Sequence, residues 1–111
     1  MKQNKVLQML GLAKRAGEVV SGEFMTERTI KDGKAKLVLV AEDASDNTRK
    51  MFRNMCEFYK VKIYEYSNKE ELGHAIGNEM RASLAITNEG FAQAILKHLE
   101  ETNTEVTEWQ K

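Results

Sequence analysis

The sequence predicts an α/β fold, a three-layer α-β-α sandwich whose elements alternate as α-β-α-β-α-β-α-β-α around a four-stranded mixed sheet. Two patterns predict this class. Segments with apolar residues at helical spacing alternate with short strand-like segments, and such alternation indicates a sheet covered by helices. In addition, residues 36–41 read KLVLVA, and a run without polar alternation after its first residue is typical of a strand buried on both faces.

The first part of the chain predicts two helices joined by a short extended stretch. The apolar residues of the first helix recur at helical spacing and are Val6, Met9, Leu10, Ala13 and Ala16. Gly17 ends this helix, and residues 19–20 form the extended stretch. Ser21 is the predicted N-cap of the second helix, which continues to Asp32 and ends at Gly33.

The middle of the chain predicts the buried strand over residues 36–41, then a third helix and a further strand. Ser45 or Asp46 is the predicted N-cap of this helix. Its inward residues, at i, i+3, i+4 and i+7 spacing, are Phe52, Met55, Cys56 and Tyr59. Residues 61–66 alternate between apolar and polar side chains, as expected of a strand.

The last part of the chain predicts a fourth helix, a strand and a fifth helix. Ser67 and Glu70 match the S-x-x-E capping box, which opens the fourth helix. A strand spans residues 83–87, and Asn88 caps the fifth helix. The inward residues of these two helices are Leu72, Ala75, Ile76, Phe91, Ala94, Ile95 and Leu99.

Length and composition are those of one globular domain. The chain has 111 residues, 41 % of them hydrophobic and 31 % charged, and we expect a single domain over residues 1–101. Residues 102–111 lack periodicity and are predicted to be a frayed or disordered acidic tail. The net charge is zero, but residues 1–36 carry eight Lys/Arg against four Asp/Glu, and residues 67–111 carry four against eight. This asymmetry fits either a local electropositive face or chance combined with an acidic tail.

Several classes of protein are disfavoured. The longest apolar run, residues 37–41, is far too short to cross a bilayer, and the first residues lack the apolar core of a secretion signal. The single cysteine, Cys56, can form neither an internal disulfide nor a cysteine-based zinc site. We therefore expect a cytoplasmic protein without membrane partners, and we expect it to be a monomer.

The sequence offers little support for catalysis. His74 and His98 have no ligand or base partner at a recognisable spacing and are interpreted as surface residues. Glu42 and Asp43 follow the buried strand, where α/β sheets gather ligand sites. The favoured interpretation is that Asp43 and Ser45 organise the turn and cap the next helix. Residues 11–17, GLAKRAG, match neither a P-loop nor a dinucleotide fingerprint. We expect no enzyme activity, no cofactor and no metal.

The second predicted helix has an unusual outer face. A helical wheel groups its small and half-apolar residues on one side, which are Thr26, Thr29 and Ile30. If this side faces the sheet, Phe24, Met25 and Arg28 are exposed; the reverse orientation would bury a charge, which is costlier. We therefore predict an exposed aromatic ring, a thioether and a guanidinium at a helix N-terminus, where backbone N–H groups favour an anion such as phosphate. The alternative is that Phe24 folds back over the preceding loop as a core residue.

A set of short motifs resembles one known family. In chain order they are GLAKRAG at 11–17, SG at 21–22, GKAKLV at 33–38, AEDAS at 41–45, LGHAIG at 72–77, AIT at 85–87 and GF at 90–91. Their order and spacing resemble the kink-turn RNA-binding ribosomal-protein superfamily, most closely its small bacterial YlxQ-type branch, over about residues 4–99. The resemblance implies an α-β-α sandwich and a non-catalytic protein that binds structured, kink-turn-like RNA. The RNA would be ribosomal RNA or an mRNA leader, with the ribosome or translation factors as further partners.

The resemblance also implies a site at the turn into the second helix. RNA-binding members carry a glycine there, then an asparagine, a glutamate and a lysine that contact sheared G·A pairs. Gly22 matches the glycine and Arg28 the lysine, whereas Phe24 and Met25 replace the asparagine and glutamate and lack their polar groups. We expect Phe24 to stack on an unpaired base instead. The further candidate RNA contacts are Lys14, Lys36, Ser45, Lys69, Met80 and Arg81.

Other interpretations of these residues stay open at this point. Ser45 could be only a helix cap, Lys69 a solvated lysine and residues 80–81 a plain loop. The whole chain could be a protein-interaction module of the same fold that has lost RNA recognition. The zero net charge supports that function. The replacement of the family's polar residues by Phe24 and Met25 supports it too, because exposed apolar residues often mark partner sites. An α/β enzyme using the carboxylates at 42–43 is the least favoured function.

Overall fold

A computed structural model describes residues 4–102, and within them it shows five helices and four strands in the predicted order. The helices are α1 Lys5–Arg15, α2 Glu23–Lys31, α3 Asp46–Tyr59, α4 Lys69–Ala75 and α5 Glu89–Thr102. The strands are β1 Val19–Ser21, β2 Leu37–Val40, β3 Ile63–Glu65 and β4 Ser83–Ile86. The α/β class is therefore confirmed. Of the predicted tail, Thr102 is the last residue of α5, and residues 103–111 lie outside the described residues.

The four strands form one mixed sheet in the order β1-β4-β2-β3. Strand β2 is parallel to β3, whereas β4 is antiparallel to both of its neighbours, β1 and β2. Consequently β1, β2 and β3 all end at the edge of the sheet where β4 begins. We call this the upper edge, marked by the pair Val40 and Ser83, and the opposite end the lower edge, marked by the pair Leu37 and Ile86.

Helices cover the sheet in two layers. Helix α2 packs on α3 and contacts β1 and β4, whereas α1 packs on α4 and α5, and α5 also contacts β4. All residues of the central strands β2 and β4 are buried, as expected of strands covered on both faces. This arrangement places the first turns of α2, α3 and α4 at the upper edge, because each of these helices follows a strand that ends there.

The predicted inward residues are buried or half-buried with two exceptions. Ala16 is exposed because α1 ends at Arg15, and Ala16 is the C-cap residue that turns the chain towards β1. Tyr59 is exposed because it is the last residue of α3, next to the αL residue Lys60 that turns the chain into β3. Apolar spacing therefore overestimates burial at helix ends, where the chain turns away from the helix axis.

Two of the predicted N-caps are wrong. The N-cap of α2 is Gly22, because Ser21 is the last residue of β1 and its hydroxyl bonds to a distant arginine. The N-cap of α4 is Asn68, whose Oδ1 accepts from the Glu71 N–H at 2.8 Å, whereas Ser67 adopts φ 62° and its hydroxyl bonds to the Glu71 side chain. The caps at Ser45 and Asn88 are confirmed by bonds to Thr48 N–H and Phe91 N–H.

Candidate nucleic-acid interface

The upper edge is assembled from four segments that are distant in the sequence. These segments are residues 21–22, 41–45, 66–69 and 80–83. Four backbone hydrogen bonds join them: Gly22 N–H to Ser83 O (3.0 Å), Ala41 N–H to Ala82 O (2.8 Å), Glu42 N–H to Ser67 O (2.8 Å) and Arg81 N–H to Lys69 O (3.0 Å). The edge is therefore a continuous surface that only the folded chain forms.

Gly22 sets the direction in which α2 leaves the sheet. Its backbone has φ 91° and ψ 156°, a region that only glycine adopts without strain. A Cβ added there would lie in open space among the described residues, so the requirement for glycine is conformational and not steric. Since glycine has no side chain to cap the helix, the N–H groups of the first turn of α2 are left to bind solvent or an anion.

The first turn of α2 presents apolar side chains to solvent. Phe24 is 69 % exposed and Met25 is 42 % exposed, whereas Thr26 is buried and its hydroxyl pairs with that of Ser83 at 3.4 Å. The predicted orientation of α2 is thus confirmed, and Phe24 is not a core residue. Met80, in the segment before β4, is 53 % exposed at the same edge. Together these side chains give the upper edge an apolar character.

Arg81 lies beside the start of α2. Its Nε donates to the Ser21 hydroxyl at 2.9 Å and its Nη1 donates to the Met80 carbonyl at 2.8 Å. Among residues 4–102 no carboxylate lies within ion-pair distance of this guanidinium. Arg81 is therefore held in position by neutral partners, and its charge is available to an incoming anion.

Lys69 and Asp43 connect α4 to the same edge. The Lys69 N–H donates to Asp43 Oδ1 at 3.0 Å, and the Lys69 carbonyl accepts the Arg81 N–H. Of the predicted pair Asp43 and Ser45, Ser45 caps α3, whereas Asp43 anchors the start of α4. The sequence contains no local signal for this bond, because 26 residues separate the two partners.

Ser45 is exposed at the upper edge, but its hydroxyl is engaged. The Ser45 Oγ accepts from the Thr48 N–H at 3.1 Å and donates to Thr48 Oγ1 at 2.9 Å. The N-cap role accounts for this residue, and RNA contact by its side chain would require one of these bonds to open.

Arg28 lies farther along α2, six residues after Gly22 and hence about 9 Å along the helix axis. Its Nε is 3.9 Å from Asp32 Oδ2, and both side chains are exposed, so this ion pair holds the guanidinium only weakly. A shallow groove of about 320 Å³ runs along the outer side of α2, lined by Phe24, Glu27, Arg28, Lys31 and Asp32. This groove continues the upper edge along the helix.

Two of the predicted contacts lie elsewhere. Lys14 is in the last turn of α1, just before the chain enters β1, and Lys36 immediately precedes β2, with its N–H donating to the Ile86 carbonyl at 2.7 Å. Both residues are therefore at the lower edge. The structure brings together Gly22, Phe24, Met25, Lys69, Met80 and Arg81, and it separates Lys14 and Lys36 from them.

Two arginines of α3 already have acidic partners. Arg49 pairs with Asp46 and Glu65, and Arg53 pairs with Glu65. The contacts with Asp46 and Glu65 raise the pKa of the Arg49 guanidinium, and the hydrogen bond to Asp46 has the largest effect. The charges of these two arginines are thus largely neutralised within the protein, and the upper edge depends on Arg81, Lys69 and Arg28.

The described residues contain no cluster suited to hold a metal ion, and their cysteine is buried. No group of three or more His, Cys, Asp or Glu side chains within them is placed to hold a metal ion. Cys56 is buried in the core, and burial raises the pKa of its thiol to about 11, so the thiol is packed and unreactive. Across residues 4–102, none of the helices is both long and apolar enough to cross a membrane.

Comparison with known proteins identifies relatives along nearly the whole described chain. The profile of the family described as "Ribosomal protein L7Ae/L30e/S12e/Gadd45 family" matches residues 4–96. The RNA-binding protein YlxQ of Bacillus subtilis (strain 168) is 44 % identical over 92 residues, which are 83 % of this chain and 92 % of the relative. The RNA-binding protein YlxQ of Enterococcus faecium is 37 % identical over 91 residues, 82 % of this chain and 87 % of the relative.

Solved structures share the fold. A protein of unknown function from Bacillus halodurans C has a TM-score of 0.86 at 28 % identity, covering 88 % of this chain and 99 % of its own. The 15.5 kD RNA binding protein of Giardia lamblia has a TM-score of 0.74 at 17 % identity, covering 94 % of this chain and 92 % of its own. At that identity the second likeness shows a common fold alone.

Proposed function

The chain belongs to the ribosomal protein L7Ae/L30e/S12e/Gadd45 family, and we propose that it is a non-catalytic protein that binds structured RNA of the kink-turn type through its upper edge. The observation that carries the proposal is the turn at Gly22. It leaves the first turn of α2 without a side-chain cap and places that turn beside Arg81, whose charge has no acidic partner among the described residues. Two relatives that match most of the chain are named RNA-binding proteins, which supports the same conclusion.

Each part of the upper edge has a role in this proposal. The backbone N–H groups of the first α2 turn and the Arg81 guanidinium bind phosphates, since both favour anions and a guanidinium matches phosphate geometry. Lys69 and Arg28 add charge on either side. Phe24 stacks on an unpaired base, and Met25 and Met80 pack against the sugar and base surface next to it.

Phe24 and Met25 change how the RNA is selected. An aromatic ring and a thioether offer no strong hydrogen-bonding group, so they cannot read the edges of G·A pairs. Selection then depends on the shape of the kinked backbone and on the presence of an unstacked base. We therefore expect a preference for kinked over unkinked RNA with little dependence on the base that stacks on Phe24.

We infer further that the RNA belongs to the translation apparatus, as ribosomal RNA or an mRNA leader, because the family is named for ribosomal proteins. Sedimentation of a cell extract through a sucrose gradient tests this. The protein should move with ribosomal particles or their precursors at low salt, and a position at the top of the gradient under all conditions would contradict ribosome association.

The RNA proposal is tested by titration with two blunt-ended RNAs of equal length, one with a kink-turn and one fully paired. The kinked RNA should bind at least about 10-fold more tightly, and Phe24→Ala or Arg81→Gln should each weaken binding about 5- to 100-fold, the range for one lost stacked base or charged contact. Lys97→Gln, an exposed lysine of α5, is the matched control and should bind normally. Equal binding of both RNAs, or full affinity in both upper-edge variants, would show that the proposed interface is wrong.

The exposure of Phe24, Met25 and Met80 favours a second candidate, a protein-interaction module that uses the same edge. Cross-linking from a photoreactive amino acid in place of Met25, in intact cells, separates the two. Cross-links to RNA support the first proposal. Cross-links to one protein that persist after ribonuclease treatment, together with no RNA affinity in vitro, support the second.

A further inference from the structure

A basic groove lies at the lower edge, at the opposite end of the strands from the proposed RNA interface. It has a volume of about 350 Å³ and is bounded by the loop before β2, the turn after α3 and the first turns of α5. Three lysines line it, namely Lys36, Lys60 and Lys62, against one carboxylate, Glu89. Among residues 4–102 none of these lysines is in an ion pair, so the lining carries a net charge of +2 (three positive, one negative).

Two aromatic side chains accompany these lysines. Tyr59 lines the groove and is 40 % exposed, and Phe58 is 76 % exposed, the most exposed of the large apolar residues that the structure describes. Their ring centroids are 4.9 Å apart at an angle of 77°, an edge-to-face contact. Phe58 and Lys60 also line a second, adjoining groove of about 550 Å³. Lys60 therefore lies between two surfaces that each display an aromatic ring.

The backbone at Lys60 is costly for a lysine. Its φ of 62° and ψ of 46° are left-handed, the conformation for which a helix C-terminus ordinarily uses glycine. A glycine would make the same turn with less strain, so the lysine does not serve the turn. Because Lys60 lines both grooves, its side chain is available to a ligand in either of them.

We propose that the lower edge is a second nucleic-acid site, which takes single-stranded RNA. Lysines interleaved with exposed aromatic rings, as in the segment FYKVK at 58–62, match the two repeating parts of a single strand, phosphates and unpaired base faces. A duplex hides those base faces. The carboxylates of an acidic protein segment could pair with the lysines but would not stack on the aromatic rings. The inference does not rest on kink-turn binding, because the two surfaces lie at opposite edges of the sheet.

Fluorescence anisotropy with a labelled 12-nucleotide oligouridylate, which has no stable structure, tests the proposal at 50 mM salt. The double variants Lys36→Gln/Lys62→Gln and Phe58→Ala/Tyr59→Ala should each weaken binding about 10-fold or more. Lys50→Gln, an exposed lysine of α3 outside both grooves, should leave binding unchanged. The upper-edge variant Arg81→Gln should weaken binding less than either double variant.

Lys60→Gly distinguishes a contact from a structural effect. Because glycine is relaxed at this turn, the variant should melt at the same or a higher temperature than the parent protein and yet bind the oligonucleotide about 3- to 10-fold more weakly. Full affinity in this stable variant would contradict the role given to the lysine.

Three results would overturn the proposal. The first is no binding of the oligonucleotide by the parent protein at 50 mM salt. The second is loss of binding in Arg81→Gln but not in the lower-edge variants, which would assign the oligonucleotide to the upper edge. The third is that polyglutamate displaces the labelled oligonucleotide as well as unlabelled oligonucleotide does, while the aromatic substitutions have no effect on binding. That result would indicate an acidic protein partner. Since the kink-turn titration uses blunt-ended RNA, either site can fail while the other holds.

Discussion

At the scale of single residues, the backbone angles of Gly22 determine what the upper edge can bind. With φ 91° the chain leaves β1 and enters α2 without a side-chain cap, so the first N–H groups of the helix face outward next to Phe24. A serine or aspartate cap would fill that position with its own oxygen atom. The site for an anion thus depends on a residue that contributes no side chain.

Replacing Gly22 with alanine should affect both stability and binding. Alanine is strained at this φ and ψ, so Gly22→Ala should lower the free energy of unfolding by about 1–3 kcal/mol, measured by denaturant titration. RNA affinity should fall as well, because relief of the strain reorients the first turn of α2. Gly17→Ala is the control: Gly17 has φ 77° at the lower edge, so it should lose stability without loss of kink-turn RNA binding. Equal affinity in both variants would contradict the role of Gly22.

Residue by residue, the sequence predicts exposure better than it predicts partners. The helical wheel places Phe24 and Met25 outside and Thr26, Thr29 and Ile30 inside, as the structure confirms. It cannot show that the Ser21 hydroxyl bonds to Arg81, because 60 residues separate the two and a local pattern assigns Ser21 to the nearest helix instead. Contacts between distant segments depend on topology, which short motifs do not encode.

At the scale of elements, α4 and the loop that follows it fix the position of Arg81. The helix is short, and Gly73 lies so close to the loop that an added Cβ would be 2.6 Å from the Glu79 carbonyl oxygen and 2.8 Å from the Met80 nitrogen. The loop then returns to Lys69, where its backbone bonds to Arg81. This close approach accounts for Gly73, the first of the two glycines in the segment LGHAIG at 72–77.

Gly73→Ala should therefore disturb the loop more than the helix. The new methyl group meets backbone atoms that cannot move individually, and we expect a loss of about 1–3 kcal/mol in the free energy of unfolding. Displacement of residues 79–81 should also weaken kink-turn RNA binding. His74→Ala, at the next and exposed position, should change neither quantity. Wild-type stability in Gly73→Ala would mean that the loop adjusts freely and does not position Arg81.

The order of the elements is predictable from the sequence, but their ends are not. Apolar spacing identifies helices and strands because it reflects which face is buried, and all nine elements of residues 4–102 follow the predicted order. The ends depend on capping bonds, and there adjacent candidates compete. At α4, for example, Asn68 caps the helix, whereas Ser67 has φ 62° and its hydroxyl bonds to the Glu71 carboxylate instead.

At the scale of the whole molecule, the zero net charge does not show where the basic residues lie. Lys69, Arg81 and Arg28 accompany the upper edge, whereas Lys36, Lys60 and Lys62 line the lower groove. The sequence alone groups Lys36 with the upper-edge residues as a phosphate contact. Only the strand order, β1-β4-β2-β3, shows that it lies at the opposite edge. The count of charged residues therefore does not predict which of the basic residues lie together on the folded surface.

This separation predicts a weak dependence of kink-turn RNA binding on salt. Three cations at the upper edge correspond to about three phosphate contacts, so log K should change with log salt concentration with a slope of about −2 to −3. Titrations of blunt-ended kink-turn RNA between 50 and 200 mM salt measure this slope. The lower-edge variant Lys36→Gln/Lys62→Gln should leave it unchanged. A slope of about −6 or steeper would indicate that more of the basic surface contacts the RNA than the upper edge provides.

The upper edge is assembled from four separated segments, and this has a consequence for finding its ligand. A short peptide from this sequence cannot reproduce the surface, because the four segments that form it come together only in the folded domain. These segments are residues 21–22, 41–45, 66–69 and 80–83. A ligand of this edge consequently binds the native state alone and must raise the melting temperature. At 100 times its dissociation constant it adds about 2.7 kcal/mol to the free energy of unfolding. A thermal-shift screen of cellular RNA fragments can therefore find the natural ligand even when the sequence of that RNA is unknown.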